Sequence, residues 1–410
     1  MANPVGEPKN KTWIATAYGL AMTGRAYGLA MTGRACGLAM TGRACGLAMT
    51  GRACGVAMAL FVGHAQADSM PSTQAPFGIE IIVRTAQNFH RASDVRAFVE
   101  QAAKNGVQTI SLLVKQDEDG AVPSGRVYYR SGLAPSVRGY EHFDVLQTLL
   151  DAAHARQIRV RAWLPQFHDQ VAAKAHPSWQ MRSAKNGKVQ PFTGSHQKEF
   201  FVDPLNPEVQ AYELSLIREV VEKYRVDGLM LDWVRFDDYN MDLGDTTRAK
   251  YQALHGIDPL TLDFSKPGAA LDQWNDFRTD GLANYVSTVR SEVPAAIEIG
   301  VYILPPEFIE VGQDAAKFNT RVNTLAPMCY FKDWGFPVEW FWSSCLSSTV
   351  AKAGQAGIAP AIDANLSDAQ YAAMLDHMRR DFAQIKTIAW FQHEAWTPAL
   401  MARVARLSTR

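Results

Sequence analysis

The sequence predicts an α/β fold of one (β/α)8 (TIM) barrel with long βα loops after strands 3 and 4. Three observations carry that reading. From Pro76 onward, strand-like apolar runs alternate with amphipathic segments of helical period. Eight such units fill the roughly 340 residues left when the first 67 are set aside, a normal size for one barrel. No Pro/Gly/Ser-rich linker divides them, and neither "VRTAQNF" nor "VKQDEDG" supplies the glycine-rich phosphate turn of a doubly wound sheet.

The units follow in order. "GIEIIVRT" leads into "ASDVRAFVEQAAKNG", where Ser93 or Asp94 can cap the helix and Gly106 can end it. "VQTISLLVK" precedes "FDVLQTLLDAAHARQ", and "IRVRAWLPQF" precedes the helix of "NPEVQAYELSLIREVVEKY", opened by the cap-like Asn206. "VDGLMLDW" precedes two helical stretches, "TTRAKYQALHG" and "DQWNDFRTDGLANYVSTVRSEV". Strands five and six are "AIEIGVYIL" and "TLAPMCYF". The seventh, "GIAPAID", leads into "SDAQYAAMLDHMRRDF", and the eighth, "KTIAWFQHE", into "TPALMARVARL".

The N-terminal stretch is a separate matter. Four near-identical nonamers of the type "AYGLAMTGR" run over residues 17–52, and a fifth begins as "ACGVAMALF". Nine residues match no solenoid unit, and the arginine in each copy interrupts any membrane-spanning run. The last copy has a basic flank, an apolar segment over residues 53–63 and an A-x-A site at Ala65, Gln66 and Ala67, the pattern of a secretory signal. The expected organisation is a signal region with repeats over 1–67, cleaved after Ala67, a short linker over 68–76, and the barrel over 77–410. The product would be periplasmic or secreted. A start at Met49 would leave a signal of ordinary length and make the upstream copies a repeat expansion.

Composition narrows the partner. With 41 Lys+Arg against 41 Asp+Glu, the chain lacks the basic excess that steers proteins to nucleic acid or anionic membrane. The 10 Trp, 13 Tyr and 19 Phe suit stacking on sugar rings as well as core packing. The expected partner is a poly- or oligosaccharide, with no integral membrane segment in the mature protein. Cys36, Cys45 and Cys54 fall in the repeats. Cys329 and Cys345 could pair outside the cytoplasm, but Cys329 lies in an apolar run and reads first as a buried thiol. No C-x-x-C or H-x-H pair suggests zinc, and no cofactor or metal is implied.

The chemistry centres on "VDGLMLDWVRFDD", residues 226–238. Its apolar run reads as a strand covered on both faces, so Asp232 falls at the C-terminal strand end, where barrels keep their active sites. The competing reading is an ion pair with Arg235 that merely orders the loop. Asp227, at the other end of the strand, is on the stability face. For a second carboxyl group Glu394, among His393, Trp390 and Trp396, is preferred, with Asp333 next. Asp363 also ends a strand, but it precedes the helix cap Ser367 and suits a turn. The loop of about forty residues after the third strand holds His168, Asp169, His176, Trp179 and His196, and a loop of that length is usually functional. Trp179 could equally anchor it on the barrel. Strand-end residues assigned to substrate binding are Arg84, Trp163, His168, Trp233, Arg235, Tyr330, Asp363 and Trp390.

"GRVYYRSGLAPSVRG", "HFDVLQTLLDAAHARQIRVRAWLPQF", "HPSWQ", "FVDPLNPEVQAYELSLIREVVEKYRVDGLMLDWVRF" and "LAPMCYF" together resemble the glycosyl hydrolase-like 10 family of exported bacterial barrels. The resemblance implies a TIM barrel acting on glycans, among them amino-sugar polymers such as denuded peptidoglycan strands. It makes Asp232 the fourth-strand acid and Trp163 the third-strand tryptophan. Two departures bear on the substrate: "RAW" stands where the family often has His-Ala-Trp, and "LDWVRFDD" replaces the commoner aspartate-tyrosine or double-aspartate forms.

The reaction expected is glycosidic bond hydrolysis by two carboxyl groups, one protonated and one ionised, through an oxocarbenium-like transition state. A 2-acetamido group of the substrate could replace one of them. A catalytically silent glycan-binding barrel of an envelope or polysaccharide-export system is the alternative. A metal-dependent deacetylase is disfavoured because the histidine clusters it needs are missing.

Overall fold

The structure is a computed structural model that describes residues 76–185, 188–194 and 199–409. The nonamers, the A-x-A site and His196 lie outside the described residues.

The eight strands form in the expected order. They are β1 (Gly78–Val83), β2 (Thr109–Leu113), β3 (Arg159–Pro165), β4 (Gly228–Asp232), β5 (Glu298–Ile303), β6 (Thr324–Pro327), β7, which is broken into Gly357–Ile358 and Ala361–Asp363, and β8 (Thr387–Phe391). Each pairs in parallel with the next, and β1 pairs with β8, Gly78 opposite Thr387. The first piece of β7 pairs with β6 and the second with β8, while Met328 bridges to Ala361 and completes the ring. The break falls at Pro360, which has no N–H to give a ladder, although its carbonyl still accepts from Ala389.

The two faces of each strand go to different cores. Ile82, Trp163, Met230, Tyr302, Ala326 and Ala389 fill the barrel interior. Their neighbours Ile81, Ala162, Leu229, Leu231, Val301 and Trp390 pack outward under the helices. This is the period of two expected of a strand buried on both sides. Gly300 leaves the room that Met230 occupies, since a Cβ there would overlap the Met230 sulfur.

The longer helices are α1 (Ala92–Lys104), α2 (Val145–His154), α3 (Pro207–Lys223), α4 (Asp245–His255), α5 (Ala269–Glu292), α6 (Asp368–Asp381) and α7 (Pro398–Ser408). Local chemistry explains most of their starts. Asp144, Asn206 and Thr397 accept from backbone N–H groups of the first turn, and Ser367 with Gln370 forms a capping box. The first helix differs from expectation. It begins at Ala92 with no side-chain cap, and Asp94 instead accepts the N–H of His90 from inside the first turn. Gly106 ends it at φ 69°. No described helix is long and apolar enough to cross a membrane.

Two further corrections concern the loops. The sequence shows no obvious secondary structure in the β3 loop, but the loop contains a short helix (Gln170–Ala175) and a hairpin of Arg182–Lys185 with Lys188–Pro191. Cys329 and Cys345 are buried, as a thiol reading requires, but they form a disulfide across 16 residues. Cys345 lies in a π-helical turn (Phe341–Leu346), so the bridge closes the loop that carries Tyr330 and Asp333.

Arg161, the first residue of "RAW", points into the barrel below Trp163, with its guanidinium against the Met230 sulfur. Its guanidinium meets Glu80 at 3.1 Å and Glu298 at 2.8 Å, and Ser111 donates to Glu80. The charge is therefore compensated where burial would otherwise be costly.

Candidate active site

The C-terminal strand ends open into a cleft with about 680 Å³ of empty space. Arg84, Asp117, Glu118, Trp163, Asp232, Trp233, Tyr302, Tyr330, Asp333, Phe391 and His393 line it. Among the substrate-binding residues expected from sequence, Arg84, Trp163, Trp233 and Tyr330 are thus brought together with Asp232 and Asp333.

Asp232 ends β4 and is 8% exposed. Its Oδ2 accepts the indole N–H of Trp163 at 2.9 Å, and its Oδ1 accepts the backbone N–H of Trp233 at 2.7 Å. Burial pushes its pKa up, against these two donors and the charges of Arg235 and Arg84. The ion pair with Arg235 is not formed. Arg235 binds Asp237 at 2.7 Å and the carbonyl of Phe236, and lies over the Trp233 ring at 4.1 Å.

Trp233 has φ 53°, in the left-handed region that costs a bulky residue about 1–2 kcal/mol. Packing holds it there. His168 lies against the Trp233 ring at 4.5 Å and stacks on Phe201, while its Nε2 pairs with Asp119 at 3.0 Å. Burial pushes the imidazole pKa down, but Asp119, Glu199 and Asp117 bring it above the ordinary value. His168, expected to touch substrate, sits behind Trp233 and outside the lining residues.

The β2 loop supplies acids that the sequence reading passed over. Arg84 grips Asp117 with both ends of its fork, Nη1 to Oδ1 and Nη2 to Oδ2 at 2.9 Å each, and reaches Glu118 at 2.7 Å. Burial pushes Asp117 up to about 7; Arg84 opposes this, and the charges of Glu118 and Asp232 add to it. Burial also presses on Glu118, but Arg84, then His393 and His168, hold it below the usual glutamate value. The strand-end rule that picks out Asp232 applies equally to Asp117. The apolar run of β2, however, stops two residues before Gln116, so the acids read as loop.

Buried charges anchor this loop. Lys115 meets Asp169 at 2.9 Å and Glu213 of α3 at 2.7 Å. Asp119 accepts from Ser124 and Phe200, which ties the β2 loop to the β3 loop. Gly125 has φ 87°, and a Cβ there would overlap the Asp169 carboxylate.

Other expected site residues lie elsewhere. Trp390 is fully buried on the outward face of β8 against Tyr371; Phe391, the next residue, faces the cleft instead. Glu394 is exposed and outside the lining residues, while its neighbour His393 is inside. Asp363 accepts the N–H of Asn365 in a turn and does not line the cleft. Asp333 does line it, pushed up to about 6 by burial and the charge of Asp363. Trp179 anchors the β3 loop through Glu208 of α3, with His176 stacked on it. Among the described residues, no three His, Cys, Asp or Glu side chains form a metal-binding group.

The cleft thus sets carboxyl groups among aromatic faces, the furniture of glycoside chemistry. The chain is 26% identical over 255 residues to an S-layer-related protein of Niallia circulans, covering 53% of this chain and 16% of that protein. It is 30% identical over 141 residues to glycosyl hydrolase DigH of Escherichia coli K12, covering 33% of this chain and 31% of that one. It therefore spans less than a third of the length of either relative. Its fold is similar to the PgaB (BpsB) glycoside hydrolase domain from Bordetella bronchiseptica, with a TM-score of 0.63 at 15% identity, over 82% of this chain and 98% of that domain. The glycosyl hydrolase-like 10 family model matches residues 79–333, and the chain belongs to that family.

Proposed function

We propose that the protein is an exported glycoside hydrolase that cleaves glycosidic bonds in an envelope polysaccharide or exopolysaccharide, including amino-sugar polymers, with Asp232 as one reacting carboxyl group. The observation that carries this reading is Asp232 itself, buried at the floor of the cleft with N–H donors on both oxygens and, among the described residues, no cation in contact. Trp163, Trp233, Tyr330 and Phe391 give the flat faces on which sugar rings stack. Export rests on the A-x-A pattern, and the Cys329–Cys345 disulfide suits an oxidising compartment.

A screen of polysaccharides with reducing-end detection, including denuded peptidoglycan and partly deacetylated amino-sugar polymers, tests the reading. New reducing ends with the wild type, lost in Asp232→Asn, are expected. The second reading, a silent glycan-binding barrel, is favoured by the ion pairs that tie Asp117 and Glu118 to Arg84. Glycan binding without any release of reducing ends would establish it.

A further inference from the structure

We propose that His168 is a positioning residue for Asp232: its ring wedges Trp233 into the left-handed conformation that aims the Trp233 backbone N–H at Oδ1 of the acid; the reactive role of Asp232 rests on the glycosidase reading above. His168 is 1% exposed and outside the residues that line the cleft, so it touches no substrate and acts through its neighbour. That neighbour is the residue directly after the acid. Trp233 has φ 53°, a conformation that a bulky side chain leaves unless its surroundings hold it, and its N–H lies 2.7 Å from Oδ1.

The chain after Trp233 is fixed. The N–H of Arg235 donates to the Trp233 carbonyl at 2.8 Å, the side chain of Gln313 to the Val234 carbonyl at 3.2 Å, and the N–H of Phe236 to the Val311 carbonyl at 2.8 Å. With those groups in place, a return of Trp233 to negative φ turns the peptide that joins it to Asp232. The N–H then leaves Oδ1, and of the two donors on the acid the Trp163 indole remains.

The wedge itself is anchored from three sides. Its ring centroid lies 4.5 Å from those of Trp233 and Phe201, tilted by 57° to the first and stacked at 13° on the second. On either side of it in the chain, the Asp169 N–H donates to the Phe200 carbonyl and the Val202 N–H to the Phe167 carbonyl, which fixes its backbone. Asp119 of the β2 loop accepts the N–H of Ser124 on Oδ1 and that of Phe200 on Oδ2, and Oδ2 also meets Nε2 of the imidazole at 3.0 Å. A carboxylate in that position calls for a donor, so the ring carries hydrogen on Nε2, while Nδ1 has no hydrogen-bond partner among the described residues. An unsatisfied buried nitrogen is costly, and a phenylalanine such as Phe167 would fill the space without it. What the histidine adds is the bond to Asp119, which couples the β2 loop, through the wedge, to the acid at the end of β4.

The test follows kcat/KM against pH on a glycan that the wild type cleaves, in His168→Ala, Trp233→Gly and the double variant. Losing an N–H donor raises the Asp232 pKa, so His168→Ala should move the limb of the profile that follows Asp232 upward by about one pH unit. Trp233→Gly removes the ring that His168 bears on, and adding His168→Ala to it should move that limb no further. His168→Phe, which keeps a flat ring in place, should return the limb to within about 0.3 of a unit of wild type. Additive shifts overturn the proposal, since His168 would then reach Asp232 without Trp233, and so does an unmoved limb in folded His168→Ala or equal limbs in His168→Phe and His168→Ala. If His168→Ala does not fold, Trp233→Ala takes its place: alanine has neither the ring nor glycine's freedom at positive φ, so its limb should lie above that of Trp233→Gly, and equal limbs overturn the proposal. A crystal structure of His168→Ala needs no turnover: Trp233 is expected at negative φ with its N–H off Oδ1, and an unchanged Trp233 overturns the proposal. A wild type that releases reducing ends from no glycan removes the glycosidase reading and leaves that structural comparison to decide the wedge.

Discussion

Trp163 and Asp232, 69 residues apart in sequence, are joined by a 2.9 Å hydrogen bond from the indole Nε1 to Oδ2 of the carboxylate. The third-strand tryptophan therefore acts on the fourth-strand acid directly, besides lining the cleft. Trp163→Phe keeps the face and removes the donor. Because a hydrogen bond to the anion favours ionisation, its loss should raise the Asp232 pKa and move the acid limb of kcat/KM upward by about one pH unit. An unmoved limb with a raised KM would leave Trp163 as a stacking residue only.

Asp232→Asn should fold, bind glycan and lose at least about 10³-fold in turnover. Arg235→Ala should not reproduce that loss, because Arg235 pairs with Asp237 and packs on Trp233. Its expected signature is a lower melting temperature with a raised KM. Glu394→Gln should remain active, since Glu394 lies outside the lining residues. A folded Asp232→Asn with near wild-type turnover on a validated substrate would sink the assignment.

Stability should fall with rising pH through a buried acid pair behind the β3 loop. Asp203 accepts from Leu205 and Thr247, and burial pushes its pKa up to about 6; nearby Asp242 is raised too, by burial and by the charge of Asp203. A carboxyl raised in the folded state contributes stability below its unfolded pKa of about 4, and that stability is lost as pH rises through about 6. Asp242→Asn removes one charge of the pair and should flatten the fall between pH 5 and 7.5 by about 1–3 kcal/mol. Melting curves at the two pH values check it; parallel losses in variant and wild type would refute the coupling.

The Cys329–Cys345 bridge should matter locally as well as globally. Closing a loop of 16 residues contributes about 3 kcal/mol, and this loop holds Tyr330 and Asp333 in the cleft wall. Cys345→Ser should lower the melting temperature by several degrees and weaken substrate binding. In exported material, intact mass should show a chain beginning at Asp68 with two cysteines and no free thiol. Retained nonamers would refute the cleavage site, and two titratable thiols would refute the bridge.

Much of this protein is legible residue by residue. The apolar run of "VDGLMLDW", the caps at Asn206 and Ser367, and the helical period between them are local signals, because a strand or helix is defined by backbone geometry over a few residues. Once eight units are counted, the barrel rule places Asp232 at the active end without reference to any partner. What tertiary structure alone decided is which distant side chains meet. Sequence offered Arg235 to Asp232, but chain direction gave it Asp237; Trp390 and Phe391 are both strand-end aromatics, and only the closed ring says which one faces inward. Asp117 reads as a loop acid until the fork of Arg84, 33 residues earlier, closes on it, and Cys329 reads as a lone buried thiol until a π-helical turn brings Cys345 to it. Contacts of this kind depend on the curvature of the whole sheet and the path of long loops, and no periodicity in the chain encodes them.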